Sequence, residues 1–383
     1  VPLPSSLKTD IPALTGLRGI AALWVFIFHA EATFNQLGAV ASKTMLVLGA
    51  AGFLGVDLFF VLSGFVLALN YSAESTHRSL ATWFEFLWKR IARVYPVHLV
   101  ALALVVVLTT LFTAFDSVFL PASRLTLGGL IKSLLLTHGW SIPIAKTWNT
   151  VSWSISCEWA AYLAFPLVAL AASRVRSALG TCAVIVGLFA LLSGYILNSN
   201  YASSMSYGLP RIAAEFTAGV LLYRLWELRE LVKGARGDWI AFIALVILIA
   251  GGSQLVARAN TYIGMVYMPI FVCGVVYGLA SGNGLFCRIL SSRAAQWGGH
   301  VSYAFYMVHG LILGVASRVL MEWGKMSSTS WAVAFAVISV VVTALIATAI
   351  YVWIETPARR AMVGWFDRVT GKSLRTLAAR QEG

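Results

Sequence analysis

Ten stretches of this 383-residue chain are apolar for about the length a helix needs to cross a bilayer, and that feature decides its fold class. They run approximately over 13–33, 52–71, 94–115, 148–171, 178–198, 207–226, 239–257, 262–280, 300–320 and 331–355. Inside lipid, each backbone N–H and C=O must find its partner within the protein, which for such segments means helices. The expected fold is all-α: a polytopic membrane bundle of about ten transmembrane helices. Residues 1–356 form the membrane domain, and 357–383 a short basic tail, amphipathic or unstructured. Composition agrees: 59% of residues are hydrophobic and 11% charged, against about a quarter charged in a soluble domain. The segment 127–139 is apolar but short, so an interfacial or re-entrant position is expected. The polar start, Val1 to Asp10, leads straight into the first span and does not read as a cleavable leader.

The formal net charge of +13 is an orientation signal. Basic residues gather in alternate loops: His77, Arg78 and Lys89 to Arg93, then Arg174 and Arg176, then Arg224, Arg229, Lys233 and Arg236, then Arg288 and Arg293, and the tail from Arg359 to Arg380. The intervening loops are richer in Asn, Ser, Thr and Gly, as in Asn198 to Tyr201. Positive charge marks the cytoplasmic side, which places both termini inside and requires an even number of spans. A nucleic-acid partner is not expected. Cys157, Cys182, Cys273 and Cys287 lack ligand spacing and read as small buried hydrophobes, and no metal is expected.

Ionisable groups within a span are expensive there and point to the bundle interior. Arg18 and His29 are eleven residues apart on the first span, which puts them on one helix face about 16 Å apart. A snorkelling arginine and a structural histidine are the plain alternative. Asp57, entering the second span from the other side, falls near the depth of His29 and is a candidate to orient that imidazole or the acceptor. Arg90 and Arg93, three apart, share one side of a helix. Two guanidiniums at the cytoplasmic mouth suit phosphate groups, or form an ordinary positive flank. Glu158, buried among aromatics, is a candidate partner for His29, an acid/base in its own right, or a helix-pairing group. His98 reads as structural, His309 as a weaker candidate, and the Glu355–Arg359 pair as architectural.

Taken together, the motifs resemble the acyltransferase 3 family of membrane-bound O-acyltransferases, which act on bacterial polysaccharides and other envelope molecules. The likeness covers nearly the whole chain. It rests on Arg18-x10-His29, the run Gly55 to Phe65, Arg90-x-x-Arg93 with Tyr95-Pro96, Trp153-Ser154-x3-Glu158, Ser302-Tyr303-x-x-Tyr306-x-x-His309, and Glu355-Thr356-Pro357-x-Arg359, all in family order.

The resemblance implies transfer of an acyl group, most often acetyl, from cytoplasmic acyl-CoA to a hydroxyl of an envelope or secreted carbohydrate. It implies an essential His29, acting as general base or as acyl carrier, donor handling by Arg18, Arg90 and Arg93, and Glu158 as a further active-site group. Acyl-CoA is then a donor substrate and no tightly bound cofactor is expected. The expected partners are a carbohydrate or lipid-linked glycan and the lipid bilayer, and the expected location is the bacterial inner membrane. Many members carry a further extracytoplasmic domain after the tenth span. Here 28 residues follow Glu355, so transfer is expected to be direct or completed by a separate partner. The competing readings are a transporter or flippase of lipid-linked sugars, and an O-acyltransferase for a small-molecule acceptor such as a macrolide.

Overall fold

The computed structural model describes residues 10–36, 49–71, 79–115, 117–142, 144, 147–199, 207–228, 234–257, 267–323 and 329–371. The main helices are α1 (Pro12–Gln36), α2 (Leu54–Asn70), α3 (Leu80–Ala114), α4 (Leu127–Leu134), α5 (Trp153–Ser173), α6 (Ala178–Leu197) and α7 (Gly208–Leu228). They continue with α8 (Ala235–Ala257), α9 (Pro269–Ser281), α10 (Leu285–Leu290), α11 (Arg293–Trp323), α12 (Thr329–Ile350) and α13 (Thr356–Val369). No strand occurs among the described residues, and the chain is an all-helical, multi-pass membrane bundle.

Each of the ten expected spans overlaps one of these helices, but they are not equal. Among the described residues, seven stretches are long and apolar enough to cross a bilayer: Pro12–Glu31, Leu80–Ala114, Thr150–Ser173, Ala178–Leu197, Ala235–Gly252, Arg293–Val319 and Ala334–Val369. The helices Leu54–Asn70 and Pro269–Ser281 are apolar but shorter. Helix α7 is interrupted by Arg211, Glu215, Arg224 and Glu227. Arg78, Arg229 and Lys233 of the charge pattern, the Asn200–Tyr201 end of the polar loop, residues 262–266 and residues 372–383 lie outside the described residues.

Two tight contacts set the frame. Helices α1 and α11 run side by side in the same direction, and a Cβ on Gly299 would fall 2.0 Å from the Thr15 carbonyl oxygen. Between α2 and α7, a Cβ on Gly64 would lie 2.0 Å from the Phe216 oxygen. Only glycine permits such backbone approach. The parallel contact also carries register. Ten residues beyond Gly19 on α1 stands His29, and eleven beyond Gly298 on α11 stands His309.

The third span begins well before the apolar run, at Leu80, where Ser79 caps the helix by accepting from the Thr82 N–H at 3.2 Å. Arg90 and Arg93 therefore lie inside a helix. The expected interfacial segment is α4, capped by Thr126 and tied to α3 by Tyr95, whose hydroxyl donates to the Leu134 oxygen at 2.8 Å. The expected tail begins as α13, joined to α12 through a π-helical turn, Tyr351–Glu355. It docks on α3, where the Trp88 indole donates to the Met362 oxygen at 2.9 Å and stacks on Phe366.

Candidate active site

His29 meets a second histidine. The Nδ1 atom of His29 lies 3.2 Å from Nε2 of His309, and the ring centroids are 5.0 Å apart. The surrounding acceptors determine the tautomers. His309 Nδ1 is 2.6 Å from the Tyr306 carbonyl oxygen, which only accepts, so Nδ1 carries the hydrogen. In a neutral His309, Nε2 is then a lone pair and accepts from His29. His29 Nδ1 also faces the Val25 carbonyl oxygen at 3.0 Å, a second pure acceptor. One consistent assignment follows: His29 holds its hydrogen on Nδ1 and leaves Nε2 unprotonated. That nitrogen has no hydrogen-bond partner among the described residues. His29 remains partly exposed, while His309 is fully buried.

A cavity of about 810 Å³ occupies the adjoining part of the bundle. At one end it is lined by Lys89, Arg90, Arg93 and Arg359, and further in by Arg18, Glu158 and Tyr162. Its inner end is aromatic, formed by Phe59, Phe60 and Tyr306. His29 and His309 do not line it, and His309 stands one helical turn beyond Tyr306 on α11.

The three arginines expected to act together do share this cavity, in different states. Arg90 donates to the Tyr71 hydroxyl at 3.1 Å and lies over the Tyr71 ring. Arg93 pairs with Glu355 at 3.0 Å, joining α3 to the π-helical turn. Arg18 makes no hydrogen bond or ion pair with any described residue, although its guanidinium faces the cavity. Arg18 shares the cavity with the carboxylates of Asp10 and Glu158 but also with Lys89, Arg90, Arg93 and Arg359, a surplus of positive charge that favours an anion.

Glu158 also lines the cavity and does not reach His29. One of its carboxylate oxygens accepts from the Ser63 hydroxyl and from the Tyr162 hydroxyl, the latter at 2.5 Å. Asp57 departs further from expectation. It pairs with Arg211 of α7 at 2.6 Å, and Glu215 lies 3.7 Å from the same guanidinium. All three side chains are at most 1% exposed. Neither carboxylate therefore stands behind the His29 ring; His309 occupies that position. The sequence reading passed over Arg211, although Arg211-x-x-x-Glu215 puts two opposite charges on one face of an expected span. Similarity in depth had suggested that Asp57 faces His29, but the α7 charges attract it to the opposite flank of α2. Among the described residues, no group of three or more His, Cys, Asp or Glu is arranged to hold a metal.

The acyltransferase 3 family model, described as Acyltransferase domain, matches residues 11–351. Acyltransferase MdmB of Streptomyces mycarofaciens is 29% identical over 380 residues, covering 92% of each chain. Putative peptidoglycan O-acetyltransferase YrhL of Bacillus subtilis (strain 168) is 24% identical over 94% of this chain and 56% of its own length. O-acetyltransferase OatA of Staphylococcus aureus (strain NCTC 8325 / PS 47) is 23% identical over 91% of this chain and 57% of its own. The chain thus spans little more than half of the last two. No solved structure matches it. With the family match running through α1, α2, α3, α5 and α11, which supply the histidine pair and most of the cavity lining, the chain belongs to the acyltransferase 3 family and is an acyltransferase.

Proposed function

We infer that the protein transfers an acyl group, acetyl by preference, from cytoplasmic acyl-CoA to a hydroxyl of an envelope or secreted carbohydrate. The observation that carries this reading is the cavity: arginine-lined at one end, aromatic at the other, and one helical turn from the histidine pair. The phosphates of the donor dock against Arg90, Arg93 and Arg359, and Arg18 neutralises the charge that reaches furthest in. The pantetheine arm follows the cavity inward and leaves the thioester at its aromatic end. Names of relatives support the acceptor class, since YrhL and OatA are O-acetyltransferases and the former is ascribed to peptidoglycan.

The chemistry rests on His29. Its unprotonated Nε2 takes the proton of the acceptor hydroxyl as the oxygen attacks the thioester carbonyl. The carbon–sulfur bond breaks, the CoA thiolate leaves, and the imidazolium returns the proton to it, so the reaction needs no net proton. His309, with its lone pair facing Nδ1–H, holds the productive tautomer and stabilises the imidazolium, as a carboxylate does behind a histidine in serine hydrolases. Glu158, with Ser63 and Tyr162, shapes the donor cavity. Asp57 anchors α2 to α7 through Arg211. The enzyme sits in the bacterial inner membrane with the arginine-rich end and both termini facing the cytoplasm.

The experiment is direct. Purified protein given acetyl-CoA labelled in the acetyl group, together with the envelope fraction, should release CoA and label a glycan. Movement of lipid-linked sugar across vesicles without CoA release would replace this reading with that of a flippase.

A further inference from the structure

Two aromatic rings from different helices line the inner end of the cavity. Phe59 of α2 and Tyr306 of α11 meet edge to face, with centroids 5.9 Å apart and planes at 65°. Tyr306 is held in place by its hydroxyl, which lies 2.7 Å from the Ser154 hydroxyl and donates to the Val151 oxygen at 2.9 Å. Ser154 lies in the first turn of α5 and Val151 in the 3-10 turn Thr150–Ser152 just before it, a segment fastened to α11 by Asn149, whose amide donates to the Met307 oxygen at 3.1 Å. On the far side, the Tyr306 ring lies 5.5 Å from that of His309. Tyr306 therefore links the cavity lining to the histidine pair, one turn further along α11.

We propose that the Phe59–Tyr306 pair determines which acyl groups the enzyme transfers, by limiting the length of chain beyond the thioester carbonyl. This rests on the reading of the cavity as the acyl-CoA site. A thioester brought to the inner end has its acyl group directed at these rings, and a two-carbon group asks for the least displacement. Each added methylene must be housed by pushing a ring aside. Phe59 can yield only into its packing, and Tyr306 only by giving up both of its hydrogen bonds. Discrimination at such a wall amounts to roughly tenfold or more per methylene.

The test compares acetyl-, propionyl- and butyryl-CoA as donors to one envelope fraction, reading kcat/KM from released CoA. Because the acceptor is the same in every arm, the ratio between donors reports the donor site alone. Wild-type protein should favour acetyl. Phe59→Ala should raise the butyryl-to-acetyl ratio about tenfold or more, Phe59→Leu by less, and Tyr306→Phe measurably, through loss of the two hydrogen bonds. Val66→Ala, which enlarges the same cavity away from the pair, should leave the ratio unchanged. Unchanged ratios in Phe59→Leu and Tyr306→Phe with acetyl transfer intact would overturn the proposal, as would an equal rise in Val66→Ala. If wild-type protein releases no CoA from any donor, the donor-site reading fails, and this inference fails with it.

Discussion

His309 Nε2 stands 3.2 Å from His29 Nδ1, and its other nitrogen is committed to the Tyr306 carbonyl oxygen, so the second ring fixes the protonation pattern of the first. The consequence is kinetic. In His309→Ala, the His29 ring keeps only the Val25 carbonyl oxygen as a guide, and the imidazolium loses its partner. The turnover number should fall about 100-fold while the KM for acyl-CoA stays put. Steady-state kinetics on purified protein check this, and an unchanged kcat would reduce His309 to a packing residue.

Arg18 should behave differently. It lines the cavity and makes no hydrogen bond or ion pair with any described residue, so on the proposed reading Arg18→Ala removes a charge-assisted contact to the donor. That is worth about 2 kcal/mol, which should appear as a KM for acyl-CoA raised more than tenfold. Arg18→Lys should recover part of it. Isothermal titration with CoA would show the same loss, and equal affinity in both proteins would return Arg18 to a topological role.

Asp57 and Arg211 are predicted to act on stability. Removing Arg211 leaves the buried Asp57 and Glu215 carboxylates uncompensated, at a cost of about 3–5 kcal/mol, while Asp57→Asn leaves Arg211 with Glu215 and costs less. Arg211→Leu and Asp57→Asn should both lower the melting temperature of the detergent-solubilised protein. If Asp57→Asn instead reduced kcat with an unchanged melting curve, Asp57 would belong to the catalytic machinery after all.

The docking of α13 on α3 can be read by proteolysis. Trp88→Ala removes the hydrogen bond to Met362 and the stacking on Phe366. Trypsin should then cut after Arg359, Arg360 or Arg368 faster than in wild type. Equal digestion rates would mean that the helix is held by other contacts.

The membrane bundle was legible because lipid imposes length and apolarity on each span, and the key cations were legible because charge is costly there. Arg18, Arg90 and Arg93 were expected to work together, and they line one cavity. What the sequence did not reveal was which helices are neighbours. Depth alone brought Asp57 and Glu158 towards His29, but two residues at one depth can face opposite sides of the bundle. The pairing of His29 with His309 depends on the glycine contact between α1 and α11, which sets the register of helices some 270 residues apart in the chain. The limits of the spans shifted for a simpler reason. Hydropathy marks where a helix meets lipid, whereas α3 and α13 continue into polar sequence, where caps and tryptophan contacts hold them.

The central claim is that the unprotonated nitrogen of His29 performs the transfer. The most direct measurement is CoA release from labelled acetyl-CoA by His29→Ala protein in reconstituted vesicles, beside wild type at equal amounts and with melting curves recorded for both. Loss of activity to background with an unchanged melting temperature and unchanged CoA affinity is the predicted result. Transfer at the wild-type rate would contradict the account.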